Sequence, residues 1–171
     1  MTRDTAAPAQ SRAFVERRRA RICGAVGRPV QAAGGDAALL PPQRLEFFRR
    51  EAEELYWNEL EWEELTDEEA ISGGHLTELV FPGFLAFVEG LLVEVVPADA
   101  TAPARPHPDA VESILDFLGD RYADTTGSLE AGADSQRLVW ARAMTVRLID
   151  LVLYRLYRLT PAEQEKVEAA G

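Results

Sequence analysis

Carboxylates are the most abundant reactive groups in this chain, and they crowd one segment. Glu46, Glu51, Glu53, Glu54, Glu59, Glu61, Glu63 and Glu64 fall within residues 42–65. Such a row invites a di-iron reading, because those sites draw a Glu from each of two helices and Glu-x-x-His pairs from two others. The chain has only His75 and His107, and neither follows a Glu at that spacing. His75-Leu76-Thr77-Glu78 runs in the reverse order. The carboxylates also recur at nearly every solvent-facing position, as they do on a solvated face, so no metal is expected. Nucleophilic chemistry lacks its parts as well. There is no Gly-x-Ser-x-Gly elbow, and His107 lies between Pro106 and Pro108. Gly34-Gly35 and Gly73-Gly74 lack the spacing and the following Lys of a phosphate loop. Cys23 sits in a Gly/Ala/Arg-rich stretch with no sign of an activated thiol. No catalytic residue and no cofactor is expected, and an enzyme built on the acidic segment is the least supported reading.

Three other groups of residues are better suited to contact than to catalysis. Asp150 lies in Leu148-Ile149-Asp150-Leu151-Val152-Leu153, where a charge is costly unless paired. A structural ion pair is expected, with Arg147 and Tyr154 one turn away and Arg142 or Arg155 nearby; the alternative is a polar contact to a partner. Tyr56, Trp57 and Trp62 sit among glutamates, and such aromatics are common binding anchors. Tyr56 and Trp62 suit a core role, whereas Trp57 lies off the apolar stripe and is the best candidate for an exposed anchor. Arg17, Arg18, Arg19 and Arg21 crowd the N-terminal segment and are suited to an acidic partner, nucleic acid or the chain's own acidic helix. Phe14 is the one aromatic there, so a stacking platform for bases is not expected.

The elements that must position these residues read as helices. The chain has 171 residues, enough for one domain with a real core, and 47% of them are apolar. Eighteen Lys and Arg against 29 Asp and Glu give a net charge of −11. A body so acidic should be repelled by nucleic acid and anionic membranes. Of the basic residues only Lys166 is not Arg, as a GC-rich, bacterial-type coding genome would produce. The most apolar stretch, residues 76–96, is broken by Glu78, Pro82, Glu89 and Glu94, too charged to span a membrane. One cysteine and no apolar leader stretch within residues 1–30 make a cytoplasmic location the default.

Residues 1–41 carry seven Arg against Asp4, Glu16 and Asp36, a net of +4, and few large apolar residues. They are read as a flexible basic arm, with a short helix allowed over residues 11–22. The helical domain is expected over residues 42–171. Its first helix spans residues 42–65, with Leu45, Phe48, Ala52, Leu55, Leu60 and Trp62 on one stripe and Arg49 and Arg50 pairing with Glu53 and Glu54. Thr66-Asp67-Glu68-Glu69 reads as a capping box. A more apolar helix follows over residues 75–95, kinked or split at Pro82-Gly83. Residues 91–96 would suit a strand, but a lone strand has no partner. Pro108 opens a helix to about Tyr122, and small and polar residues 123–133 are read as a loop. The longest apolar helix, residues 136–159, belongs at the centre, with Val139, Val146, Ile149 and Leu153 widening its stripe. Thr160-Pro161-Ala162-Glu163 restarts a short terminal helix with a cap, a Pro at its first position and a capping-box Glu. The fold class is therefore all-α: a bundle of four main helices plus short capping helices, behind a disordered basic N-terminal arm.

The segment from Ile149 to Glu163, with Val167-Glu168, resembles the helical tail of type IIG-like restriction–modification enzymes and related adenine methyltransferases. That tail follows an Ile-Asp-x-x-Val-Tyr-x-Leu-Tyr-Gly-Leu-Thr-x-x-Glu pattern. Asp150, Leu156, Tyr157, Leu159, Thr160 and Glu163 match it, and Leu153-Tyr154 stands for the Val-Tyr pair. Arg158 replaces the Gly, which argues against the tight helix break that Gly would give. The resemblance covers about 20 of the 171 residues. With no methyltransferase catalytic motif in the chain, it implies a detached helical module rather than an active modification enzyme. The leading expectation is a non-catalytic protein–protein interaction or assembly module, with a protein partner or a homodimer. The alternative is an accessory of a DNA-modification or phage-defence system, touching nucleic acid only through the N-terminal arm.

Overall fold

The computed structural model describes residues 6–32, 40–60, 81–92, 106–132 and 136–170, and its architecture is all-α. The helices are α1 (Ala6–Val26), α2 (Pro42–Glu59), α3 (Pro82–Leu92), α4 (Pro108–Glu130), α5 (Gln136–Leu156) and α6 (Pro161–Ala170). Four of them, α2 to α5, answer to the predicted main helices. Trp62, the Thr66 capping box, His75 and Val95 lie outside the described residues. Among the described helices none is long and apolar enough to cross a membrane.

Proline sets several starts. Pro42 and Pro108 open α2 and α4, where a missing N–H costs nothing. Pro82 likewise opens α3 instead of kinking a longer helix. The α3 start is capped from α2: the Glu59 carboxylate accepts from the backbone N–H groups of Gly83 at 2.5 Å and Phe84 at 2.9 Å. A carboxylate there satisfies two orphan donors and meets the positive end of the helix dipole.

The predicted loop at 123–133 is a correction, because α4 continues to Glu130. Thr125 is buried there, and its hydroxyl donates to the carbonyls of Arg121 and Tyr122, both at 2.9 Å. Small polar residues that bond back to their own turn are compatible with helix once an adjacent helix covers them. The stop comes at Gly132, whose φ of +97° and N–H bond to Leu129 O at 3.2 Å terminate the helix.

The end of α5 overturns a second expectation. Arg158 adopts a left-handed φ of 52°, the Leu159 N–H donates to Tyr154 O at 3.0 Å and the Arg158 N–H to Arg155 O at 3.2 Å. The tight break thus forms without Gly, and α5 ends at Leu156 rather than at residue 159. The capping box that follows is as predicted. The Glu163 N–H donates to Thr160 Oγ1 at 3.2 Å, and the Thr160 N–H to Glu163 Oε1 at 3.0 Å.

The largest correction is the N-terminal arm. Residues 6–26 of it are helical, and Phe14, Val15, Ile22 and Val26 join the same core cluster as the other helices. Gly27, at φ +74°, ends the helix. Local composition allowed only a short helix over residues 11–22, since the groove and carboxylates that hold α1 come from α4, α5 and α6. The centre also shifts. Helix α4 packs against α1, α2, α3 and α5, while α5 contacts α4, α3 and α1. Val111, Ile114, Leu115, Phe117 and Leu118 are buried as expected, and so are Leu148, Ile149, Val152, Leu153 and Leu156. Val139 is not: it is half exposed.

Candidate functional site

Two arrangements gather the residues singled out in the sequence. The first is a charged seam beneath α1. Asp150 is buried in α5, and its ion-pair partners are not the neighbours on its own helix. Arg18 grips it as a fork, with Nε 2.8 Å from Oδ1 and Nη2 on Oδ2, and Arg21 Nη1 adds a third contact at 3.3 Å from Oδ2. The expected partners, Arg147 and Tyr154, turn instead to Glu168 on α6. Arg147 pairs with Glu168 Oε1, and the Tyr154 hydroxyl donates to that oxygen at 2.8 Å. Arg21 bridges the two groups, with Nη2 3.0 Å from Val167 O and 3.9 Å from Glu168 Oε2.

Arg19 faces the other side of the seam. Its guanidinium makes two bonds to the Glu112 carboxylate, each 2.8 Å, and a third to the Tyr157 hydroxyl. Arg28, just past α1, forks onto Glu163 at 2.6 and 3.0 Å. The sequence allowed the arginines to fold back on the acidic first helix. They dock on α4, α5 and α6 instead.

These contacts fix the protonation states. The bond to Asp150 holds the Arg18 guanidinium above its ordinary value. Burial pushes the Tyr157 and Tyr154 hydroxyls up, and for Tyr154 the bond to Glu168 adds to this. Burial works against ionised Glu168, but Arg147 and Tyr154 outweigh it and hold the carboxyl low. Arg28 and the Thr160 N–H hold Glu163 down at about 2. Both oxygens of Asp150 accept from guanidinium N–H groups, so the seam fastens α1 to α5. Arg18, Arg19 and Arg21 are thereby taken into internal pairs, a correction to their reading as partner-binding residues. Arg17 alone of the four is exposed, with its guanidinium 5.6 Å from the Phe14 ring centre.

The second arrangement is on α2. Tyr56 is fully buried, so it is a core residue and not a surface anchor. Its hydroxyl lies 2.8 Å from Thr145 Oγ1, which donates its own proton to Ala141 O at 2.7 Å. The Tyr56 proton must therefore point at Thr145, since a hydroxyl carries one hydrogen. Trp57, next along, is 46% exposed, and Arg121 from α4 sits over its ring at 4.5 Å. Phe47 is 49% exposed on the same helix and was missed in the sequence. Its signal was available: 47 and 57 fall within about 80° of each other around a helix of 3.6 residues per turn. Between them Arg49 pairs with Glu53 as expected, at 3.2 Å, but Arg50 turns back to Glu46 at 2.6 Å and leaves Glu54 exposed.

Among the described residues no group of three or more His, Cys, Asp or Glu is placed to hold a metal ion. His107 packs against Phe48 with ring centres 6.2 Å apart, and its backbone N–H donates to Leu91 O at 2.7 Å. Fold and site thus define an all-α protein whose N-terminal helix is clasped by ion pairs and whose α2 presents two aromatics to solvent. No protein-family model, curated protein or solved structure matches the chain.

Proposed function

We propose that this protein is a non-catalytic helical module for protein–protein interaction or assembly, working in the cytoplasm. The observation that supports this reading most is the exposure of Phe47 and Trp57 on the side of α2 opposite buried Ala52 and Tyr56. Large aromatics held in water by a rigid helix lose little entropy on binding and are enriched among interface hot spots. The surrounding Glu46, Arg50 and Glu54 form a polar rim of the kind that surrounds such anchors. The test is in-cell photo-crosslinking from a benzophenone amino acid placed at position 47 or 57, with exposed Glu165 on α6 as the control position. Adducts specific to positions 47 and 57 are expected. Their absence at both would overturn the reading.

The second reading is an accessory role in a DNA-modification or phage-defence system. It draws on the C-terminal resemblance, and the break at Arg158 followed by the Thr160–Glu163 capping box supports it. The internal pairing of Arg18, Arg19 and Arg21 leaves Arg12 and Arg17 as exposed basic residues of α1, so this role would rest on a protein partner more than on direct contact. If the full chain fails to bind duplex DNA at low salt, its direct-contact version fails.

A further inference from the structure

The solvent-facing stripe of α2 has an internal symmetry. Phe47, Arg50, Glu54 and Trp57 follow one another at spacings of three, four and three. Read in either direction the stripe runs aromatic, charged, charged, aromatic, and the two central charges are opposite. All four residues are exposed, and they lie on the side of the helix opposite Ala52 and Tyr56. Spacings of three and four keep them on one face of a 3.6-residue helix.

From this we infer that α2 pairs antiparallel with α2 of a second copy of the chain, across a two-fold axis at the level of residue 52. In an antiparallel pair the residue numbers facing each other have a constant sum. Phe47 then meets Trp57 of the second copy, and Arg50 meets its Glu54. Two-fold symmetry repeats both contacts, so one helix supplies two aromatic pairs and two ion pairs. An unrelated partner would not require the stripe to match its own reversal; a second copy does. The intrachain geometry leaves these groups available. Arg50, 72% exposed, is held only by the surface pair with Glu46, and such a pair is easily exchanged. Guanidinium groups already lie over both rings, Arg44 at 5.3 Å from the Phe47 centre and Arg121 at 4.5 Å from Trp57. They would flank the aromatic pairs as the interface closes. A single helix–helix contact is small, so the dimer is weak and transient.

This inference rests on the interaction-module reading and names its partner. Sedimentation equilibrium of the full chain from about 5 to 500 μM should show a reversible monomer–dimer equilibrium. Arg50→Glu and Glu54→Arg should each weaken it about tenfold, since by symmetry one substitution turns two ion pairs into two like-charge contacts. An equimolar mixture of the two variants should regain the wild-type affinity, because opposite charges meet again in the heterodimer. Phe47→Ala, at an exposed position that leaves the core intact, should also lower affinity. A wild-type monomer across the range, or a mixture no tighter than either variant alone, would overturn the inference. If cellular crosslinks from positions 47 and 57 capture a different protein while the purified chain stays monomeric, the second copy is excluded and the module reading stands. If there are no crosslinks and no dimer, both fall.

Discussion

Asp150 shows how a single residue ties the N-terminal helix to the rest of the chain. Its carboxylate side chain is 5% exposed and depends on Arg18 and Arg21 for compensation. Arg18→Ala should cost about 3 kcal/mol, because it strands a buried charge with one long contact left. Asp150→Ala should cost less, about 2 kcal/mol, since the freed guanidiniums, 25% and 19% exposed, can turn towards water. The double variant should lose clearly less than the sum of the two in urea denaturation. Full additivity would mean that the pair is not coupled. Arg158 offers a cleaner comparison. Its left-handed backbone is strained for any residue with a Cβ, and its side chain reaches Leu92 O at 3.3 Å. Both Arg158→Gly and Arg158→Ala remove that bond, but only Gly relieves the backbone. The Gly variant should therefore be more stable than the Ala variant by about 1 kcal/mol. Equal melting temperatures would contradict this assignment of strain.

At the scale of elements, α1 is the helix whose attachment is most informative. It crosses α4 closely at Gly119, where a Cβ would stand 2.9 Å from Ser11 O and 3.1 Å from Val15 Cγ2. The first of these is backbone and cannot swing away. Gly119→Ala should push α1 off α4 and destabilise the fold by about 2 kcal/mol. Limited proteolysis should then cut within α1 sooner than within α5. Unchanged α1 protection would show that the crossing has room to adjust. The cap on α3 works by the same logic of one helix completing another: Glu59, the last residue of α2, bonds the first N–H groups of α3.

For the whole molecule, the chain is closed by charge between its N-terminal helix and its C-terminal one. Glu163, ordinarily near 4.5, is held at about 2, and Glu168 is also lowered. A carboxyl whose pKa is depressed by folding adds stability that is complete above its unfolded value and is lost as pH falls through the folded one. Tyr154 and Tyr157 are raised above their ordinary 10.0, so their contribution is complete below pH 10 and lost as pH rises beyond it. Stability should be flat near neutrality, fall between about pH 4.5 and 2, and fall again above about pH 10. Denaturant titrations at a series of pH values, with protease cutting of α1 followed in parallel, would check both limbs. A chain equally stable at pH 3 and pH 6 would refute the acid limb.

The sequence by itself determined the helices that carry their own signals. Periodic apolar stripes placed α2, α4 and α5, prolines marked the starts of α2 and α4, and Thr160 with Glu163 announced α6, because these are interactions within one or two turns. Exposure of Trp57 was legible for the same reason: it lies off its own helix's stripe. Tertiary structure decided whatever depended on distant residues. Asp150 had to be paired, but the choice of Arg18 over Arg147 was made by the docking of α1, more than a hundred residues away in the chain. The helical extension of α4 to Glu130 became favourable only once Thr125 was buried. Residues 6–26 of the arm read as flexible form a helix because α4, α5 and α6 together supply an apolar groove and the carboxylates Glu112, Asp150, Glu163 and Glu168. Local propensity fixes what a segment can become, and only long-range burial and charge pairing fix whether it does.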